Sequence, residues 1–216
     1  MTDLNCIAAG LIRLLSPVLL LIFWHKRTRA RVLPAAVALA ACFPVFILGN
    51  FIRSGFARDL PILFYIEQGL LFGVLEEGAK FLIMRFALTD YDDRRDAVTY
   101  GIGHSAYEEI GAGLTCFGLI GEGTAASTIV LSGLWTVIEG TASCAAACIM
   151  ILYGIRMGKS GIMLPLAIGF HAVGSAVLGI FIEPVAVVLA SLLTAAQWVI
   201  AYRCWQAMKL SHDDEE

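Results

Sequence analysis

Apolar positions in this chain fall into seven long runs, about residues 4–24, 33–52, 61–88, 97–121, 125–154, 162–182 and 185–205. A helix crossing a bilayer needs roughly 20 predominantly apolar residues, and every run is close to that length or beyond it. Charge and helix breakers collect between the runs. They are His25 to Arg31, Arg53 to Asp59 ahead of Pro61, Thr89 to Asp96, Gly121 to Thr124, Arg156 to Gly161, and Glu183-Pro184. Lipid offers the backbone no hydrogen-bond partners, so each run must satisfy its own amides as a helix. The pattern therefore predicts an all-α, polytopic integral membrane bundle of about seven transmembrane helices, a single domain over 1–216.

Composition sharpens the picture. The chain is 59% hydrophobic and 15% charged, with a mean hydropathy of +0.80. Ordinary globular chains run about 45–50% apolar and about 25% charged. These values exclude a water-soluble enzyme with a separate catalytic domain, and they exclude disorder. Whatever chemistry the chain performs lies in or beside the bilayer. A net charge of −3 gives no drive toward nucleic acid, which is not expected as a partner.

Basic residues set the expected orientation. Lys26, Arg27, Arg29, Arg31, Arg94, Arg95, Arg156, Lys159, Arg203 and Lys209 fall on one side, Arg53 and Arg58 on the other. The positive-inside rule then puts the N-terminus outside and the C-terminus in the cytoplasm. The 25–31 cluster reads as topogenic in preference to a lipid site. No basic segment precedes the first run, which reads as a retained span, and the acidic tail Asp213 to Glu216 reads as a solvated end. The six cysteines, Cys6, Cys42, Cys116, Cys144, Cys148 and Cys204, lie in apolar runs and read as small buried hydrophobes. They carry no zinc-finger spacing.

Ionisable residues inside the runs carry the chemical information. Arg13, Glu67, Glu76, Glu77, Lys80, His104, Glu108, Glu109, Glu139 and His171 all fall within predicted spans. A charge at the bilayer centre costs at least about 2.5–3.5 kcal/mol on insertion scales. At 1.5 Å per residue, Glu76 and Glu77, His104 and Glu108, and His171 occupy similar depths on three different helices. Glu76 and Lys80 are i and i+4, as are His104 and Glu108, so each pair can share a face. Glu77 is rotated about 100° from Glu76. One of the two is expected to face the site while the other accepts hydrogen bonds or pairs with Lys80. One cavity, open to the cytoplasmic side, is expected among Glu76, Glu77, His104 and His171. Glycines thin the fourth and sixth runs, for close helix packing or for room beside a substrate. Glu139, outside this group, reads as an interhelical hydrogen-bonding residue.

Other intramembrane chemistries fit poorly. Gly158-Lys159-Ser160-Gly161 matches a rhomboid-type serine motif but sits in a short loop with no base in reach. No aspartate pair lies in the spans for presenilin-type chemistry, and the His-Glu-x-x-His zinc helix is absent.

What remains is ordered: Glu76-Glu77-Gly78-Ala79-Lys80, then Gly101-Ile102-Gly103-His104-Ser105-Ala106-Tyr107-Glu108, then Gly169-Phe170-His171. Over about residues 60–180 this set resembles the YhfC-like membrane peptidases. Their superfamily also holds the CAAX-processing type II proteases, the Abi proteins, the PrsW proteases and the Aph subunit of γ-secretase. The resemblance implies an intramembrane endopeptidase in a bacterial inner (plasma) membrane, acting on a membrane-associated protein or peptide. It implies that Glu76 or Glu77 activates water, that His104 and His171 orient it, stabilise the oxyanion or bind a metal, and that Glu108 is the second acidic position. A metal, if used, would be zinc held by His104, His171 and Glu76. Ser175 stands where CAAX proteases usually carry an asparagine, and Lys80 has the PrsW spacing, so prenylated substrates do not follow. Two alternatives use the same residues: a non-catalytic scaffold, as in the Aph branch, and a small proton-coupled transporter.

Overall fold

The computed structural model describes residues 2–56, 59–121 and 126–213, with the side chains of 2, 126–132 and 210–213 left aside. Arg58, residues 122–124 of the fourth expected loop and the acidic tail from 214 lie outside the described residues. Seven α-helices form among those described: α1 Thr2–Thr28, α2 Leu33–Arg53, α3 Pro61–Leu82, α4 Arg94–Gly118, α5 Ala126–Arg156, α6 Ser160–Ile180 and α7 Glu183–Asp213. A π-helical segment, Ile83–Ala87, continues α3. Each matches a predicted run to within several residues, and no strand occurs among the described residues.

Local sequence sets several of the boundaries. Prolines stand in the first turn of α2 and α3, where the missing N–H would have had no partner anyway. Asp93 caps α4 by accepting from the Arg95 amide. Five helices, α1, α2, α5, α6 and α7, contain an apolar window long enough to cross a membrane. The other two, α3 and α4, carry the intramembrane acids and bases that interrupt such a window. Glu76, Glu77, His104 and Glu108 all belong to these two helices, while His171 belongs to α6.

Small residues decide how closely the helices approach. A Cβ added at Gly69 would lie 2.4 Å from the Ala172 carbonyl oxygen, and one at Gly73 3.0 Å from that of Ile168, so α3 and α6 meet backbone to backbone. On α4, Gly103 meets Ala35 of α2 and Gly101 meets Ala145 of α5 in the same way. Gly169 and Gly174 meet no neighbour within 4 Å. Large apolar side chains such as Leu19, Phe23, Phe51, Ile138 and Leu192 point outward, as lipid requires.

Polar contacts join helices inside the bundle. Arg13 of α1 donates to Glu109 at 2.9 Å and to Thr136 at 2.6 Å, linking α1, α4 and α5. Ser143 donates to Gln197 at 3.0 Å, and Thr194 of α7 donates to Glu139 of α5 at 2.6 Å. Glu139 thus takes the interhelical role expected of it, although its partner comes from α7 and not from the hydroxyls beside it in α5.

The expected loops gather by end. Arg31 pairs with Asp96, Arg95 donates to the Thr28 carbonyl at 2.9 Å, and Arg94 donates to the Trp205 carbonyl at 3.0 Å. At the opposite end, the Gly121 amide donates to Asp3 at 3.0 Å. Near the basic end, burial pushes the Asp93 carboxyl up, but hydrogen bonds from Arg95 outweigh this and hold it below the usual carboxylate range. The hydrogen bond to Asp96 likewise raises Arg31. The tightest core also belongs to this end: Tyr100, the run Ala145 to Leu152, Met84, Leu88, Ala201, Cys204 and Met208.

Candidate active site

Glu76 and Glu77 leave α3 in different directions, as their 100° offset requires. Glu77 is 1% exposed and faces inward. Its Oε1 accepts from Lys80 Nζ at 2.6 Å and from His171 Nδ1 at 2.9 Å, while its buried Oε2 has no hydrogen-bond partner. Lys80 is therefore the counter-ion of Glu77 at i+3, and Glu76 is free for another task.

Glu76 turns toward α4. Its Oε2 lies 2.9 Å from His104 Nε2 and 4.0 Å from His171 Nδ1. Both imidazoles are thus gathered round one carboxylate. One turn after His104, Glu108 shares its face. One ligand atom each from Glu76, His104 and Glu108 lie within 4.8 Å of one another, the one such three-residue group among the described residues. Sequence reasoning puts His171 in a metal set with Glu76 and His104. The three donors within 4.8 Å of one another include Glu108 and not His171, whose Nδ1 turns onto Glu77.

Cys42 of α2 completes the surroundings, with its Sγ 3.0 Å from His104 Nδ1. Its position in an apolar run marks it as a plain hydrophobe, and nothing in the sequence registers α2 against α4. Its one available signal is a thiol at a depth similar to that of His104.

These groups line a cavity of about 730 Å³. Glu76, His104, Glu108, His171, Cys42, Tyr107 and Ser175 are on its wall, with Phe43, Phe46, Phe72, Ile110 and Leu114 as apolar lining. Glu77 sits behind the wall. The cavity runs on to Asn50, Arg53 and Gln68, toward the end of the bundle that carries loop 53–60. The lining thus extends away from the basic end, where the opening is expected. Depth arithmetic gives the height of a residue but not which end is packed shut, and here the core around Tyr100 and Ala145–Leu152 fills the basic end. Glu67, Glu109 and Arg13, also intramembrane, are not part of this wall, and Glu139 is absent from it.

Fold and site together define a class: an all-α integral membrane protein with carboxylates and imidazoles gathered on an internal cavity. The YhfC intramembrane metalloprotease family matches residues 12–132, more than half of the chain, and the chain belongs to that family. The matched segment contains Cys42, Glu76, Glu77, His104 and Glu108 and stops before His171. Family membership places the chain among the membrane proteases. Comparison with curated proteins and with solved structures gives no match.

Proposed function

We propose that the protein is an intramembrane endopeptidase that hydrolyses a membrane-associated protein or peptide at the Glu76–His104–Glu108 wall of the cavity. The observation that carries this reading is the convergence of these three donors from α3 and α4 within 4.8 Å. Three protein ligands of nitrogen and oxygen type, beside open space, are the donor set of catalytic zinc sites, so the residues fit the metal that the family implies. A divalent cation held by Glu76, His104 and Glu108 would supply Lewis-acid activation of water and of the peptide carbonyl.

The remaining residues divide the work. Glu77, neutralised by Lys80, holds the Nδ1–H of His171, which leaves Nε2 of the neutral ring as its acceptor nitrogen. His171 therefore takes a proton from the attacking water at Nε2 and returns it to the departing amine. The apolar lining of Phe43, Phe46, Phe72 and Leu114 excludes bulk water and binds the side chains of the substrate. The low dielectric there strengthens each of these electrostatic contacts.

The test pairs metal content with proteolysis. Wild type and Glu76→Gln, Glu108→Gln and His171→Gln variants are expressed in the same cells. New N-termini in the membrane fraction are catalogued by mass spectrometry, and metal is measured on the purified proteins. Wild type is expected to carry about one divalent ion per chain and to generate N-termini absent from all three variants. The Glu76 and Glu108 variants lose the ion, whereas His171→Gln keeps it. Identical N-termini in wild type and variants would sink the peptidase reading in favour of the scaffold.

A further inference from the structure

The second cavity of the bundle lies at the opposite end from the mouth of the first and has a different chemistry. It encloses about 240 Å³ where the start of α4 meets the ends of α5 and α7. Arg94, Arg95, Arg156 and Lys209 line it together with Asp93 and Trp205. Among the described residues, four cations thus face one carboxylate, and that carboxylate is already engaged: Arg95 binds both oxygens of Asp93, at 2.6 to 3.0 Å.

Among the described residues, the other three cations form no ion pair. Arg94 donates to the Trp205 carbonyl at 3.0 Å and lies 4.6 Å from the centre of its ring. Arg156 donates to the Asp92 carbonyl at 3.4 Å. Lys209 is exposed. A guanidinium bonded to neutral carbonyls keeps its full charge, and its planar fork matches phosphate oxygens. The volume is below the roughly 300–1,000 Å³ of sites for drug-sized ligands, which suits a small anionic group. An interfacial tryptophan beside clustered arginine is also the setting in which a lipid headgroup meets protein.

We propose that this pocket binds a phosphate group through Arg94, Arg156 and Lys209. The group is borne by an anionic lipid headgroup or is free phosphate. The proposal is independent of the proteolytic reading, since none of these residues touches the first cavity.

The test uses the full chain, purified in detergent and stripped of lipid, with binding followed by native mass spectrometry. The probes are phosphatidylglycerol, phosphatidylcholine and inorganic phosphate. Wild type is expected to retain phosphatidylglycerol and not phosphatidylcholine. The double variant Arg156→Gln/Lys209→Gln should bind phosphatidylglycerol about 25-fold more weakly, each cation near an anionic headgroup contributing about fivefold. A charge-matched control, Lys26→Gln/Arg27→Gln, removes two cations from the same end but outside the pocket and should change binding by less than about twofold. Thermal unfolding of all variants, unchanged within error, establishes that they are folded. Displacement of the lipid by inorganic phosphate identifies the phosphate group itself as sufficient, while failure to displace it identifies the lipid as the source. Equal loss in the control, equal binding of phosphatidylcholine, or no loss in the double variant would each overturn the proposal.

Discussion

Replacing Lys80 by methionine tests the charge arrangement behind the site. Lys80 and Glu77 are each 1% exposed and 2.6 Å apart, so neither can turn to water when its partner is lost. Methionine keeps most of the length and volume of the lysine stem, which limits the cavity contribution. What remains is a carboxylate stranded in the interior with His171 as its single hydrogen-bond partner. Removing one member of a buried pair costs about 3–5 kcal/mol. Near the lower bound this is more than a hundredfold in the folding equilibrium, at about 1.4 kcal/mol per tenfold. Adding Glu77→Gln to Lys80→Met removes the stranded charge while the amide still accepts from His171. The double variant should therefore regain about 2 kcal/mol or more. Reversible unfolding in mixed micelles, titrated with a denaturing detergent, measures both. A loss below about 1 kcal/mol in Lys80→Met, or a double variant as unstable as the sum of its single changes, would refute the claim that Lys80 serves to neutralise Glu77.

Further expectations follow from other contacts. Glu139→Gln should keep its hydrogen bond with Thr194 and retain folding and most cleavage. Glu76→Gln should stay folded and lose cleavage, as scored by the same membrane N-terminal profiling. Cys42→Ala removes the outer partner of His104 and should weaken retention of a divalent ion about 10–100-fold, read as metal content after dialysis; Cys42→Ser, which restores an acceptor for the His104 Nδ1–H, should recover most of it. Asp93→Ala removes the cap of α4 and should cost about 1 kcal/mol. Because the folded-state Asp93 carboxyl is held below its ordinary range, that advantage is present at neutral pH. It disappears as pH falls through the folded value, so thermal unfolding of wild type and variant should converge in acid.

Run length alone makes the seven helices legible, because the bilayer leaves a long apolar run no other conformation. The divergence of Glu76 and Glu77 is equally legible, since adjacent helical residues cannot share a face. Which of them takes Lys80 is not: i+3 and i+4 are both within reach, and the choice falls to Glu77 because His171 approaches the same oxygen from α6. The place of Cys42 beside His104 depends on the register between α2 and α4, fixed by Gly103 against Ala35, a contact between residues nearly seventy positions apart. The direction of the cavity is hidden for a similar reason. Ala145 to Leu152 looks like any other apolar stretch until α4 and α7 close on it. The partner of Glu139 is Thr194, in a helix whose orientation about its own axis no local pattern fixes.

Gly69 lies two turns from Glu77 and carries no functional group, yet it acts as a spacer gauge for the chemistry. A methyl group there would start 2.4 Å from the Ala172 carbonyl oxygen and needs about 3.4 Å for ordinary contact. Accommodating it moves α6 away by about 1 Å, since backbone on both sides leaves nothing softer to yield. The residue before Ala172 is His171, whose bond to Glu77 is 2.9 Å long, and the same displacement carries it beyond the 3.2 Å that such a bond tolerates. The tolerance of the site to sequence change is therefore narrower than its acids and imidazoles suggest. A single hydrogen atom in place of a side chain sets the distance between two helices, and drift at that position would be felt as a lost His171–Glu77 hydrogen bond in a protein whose seven helices all still form.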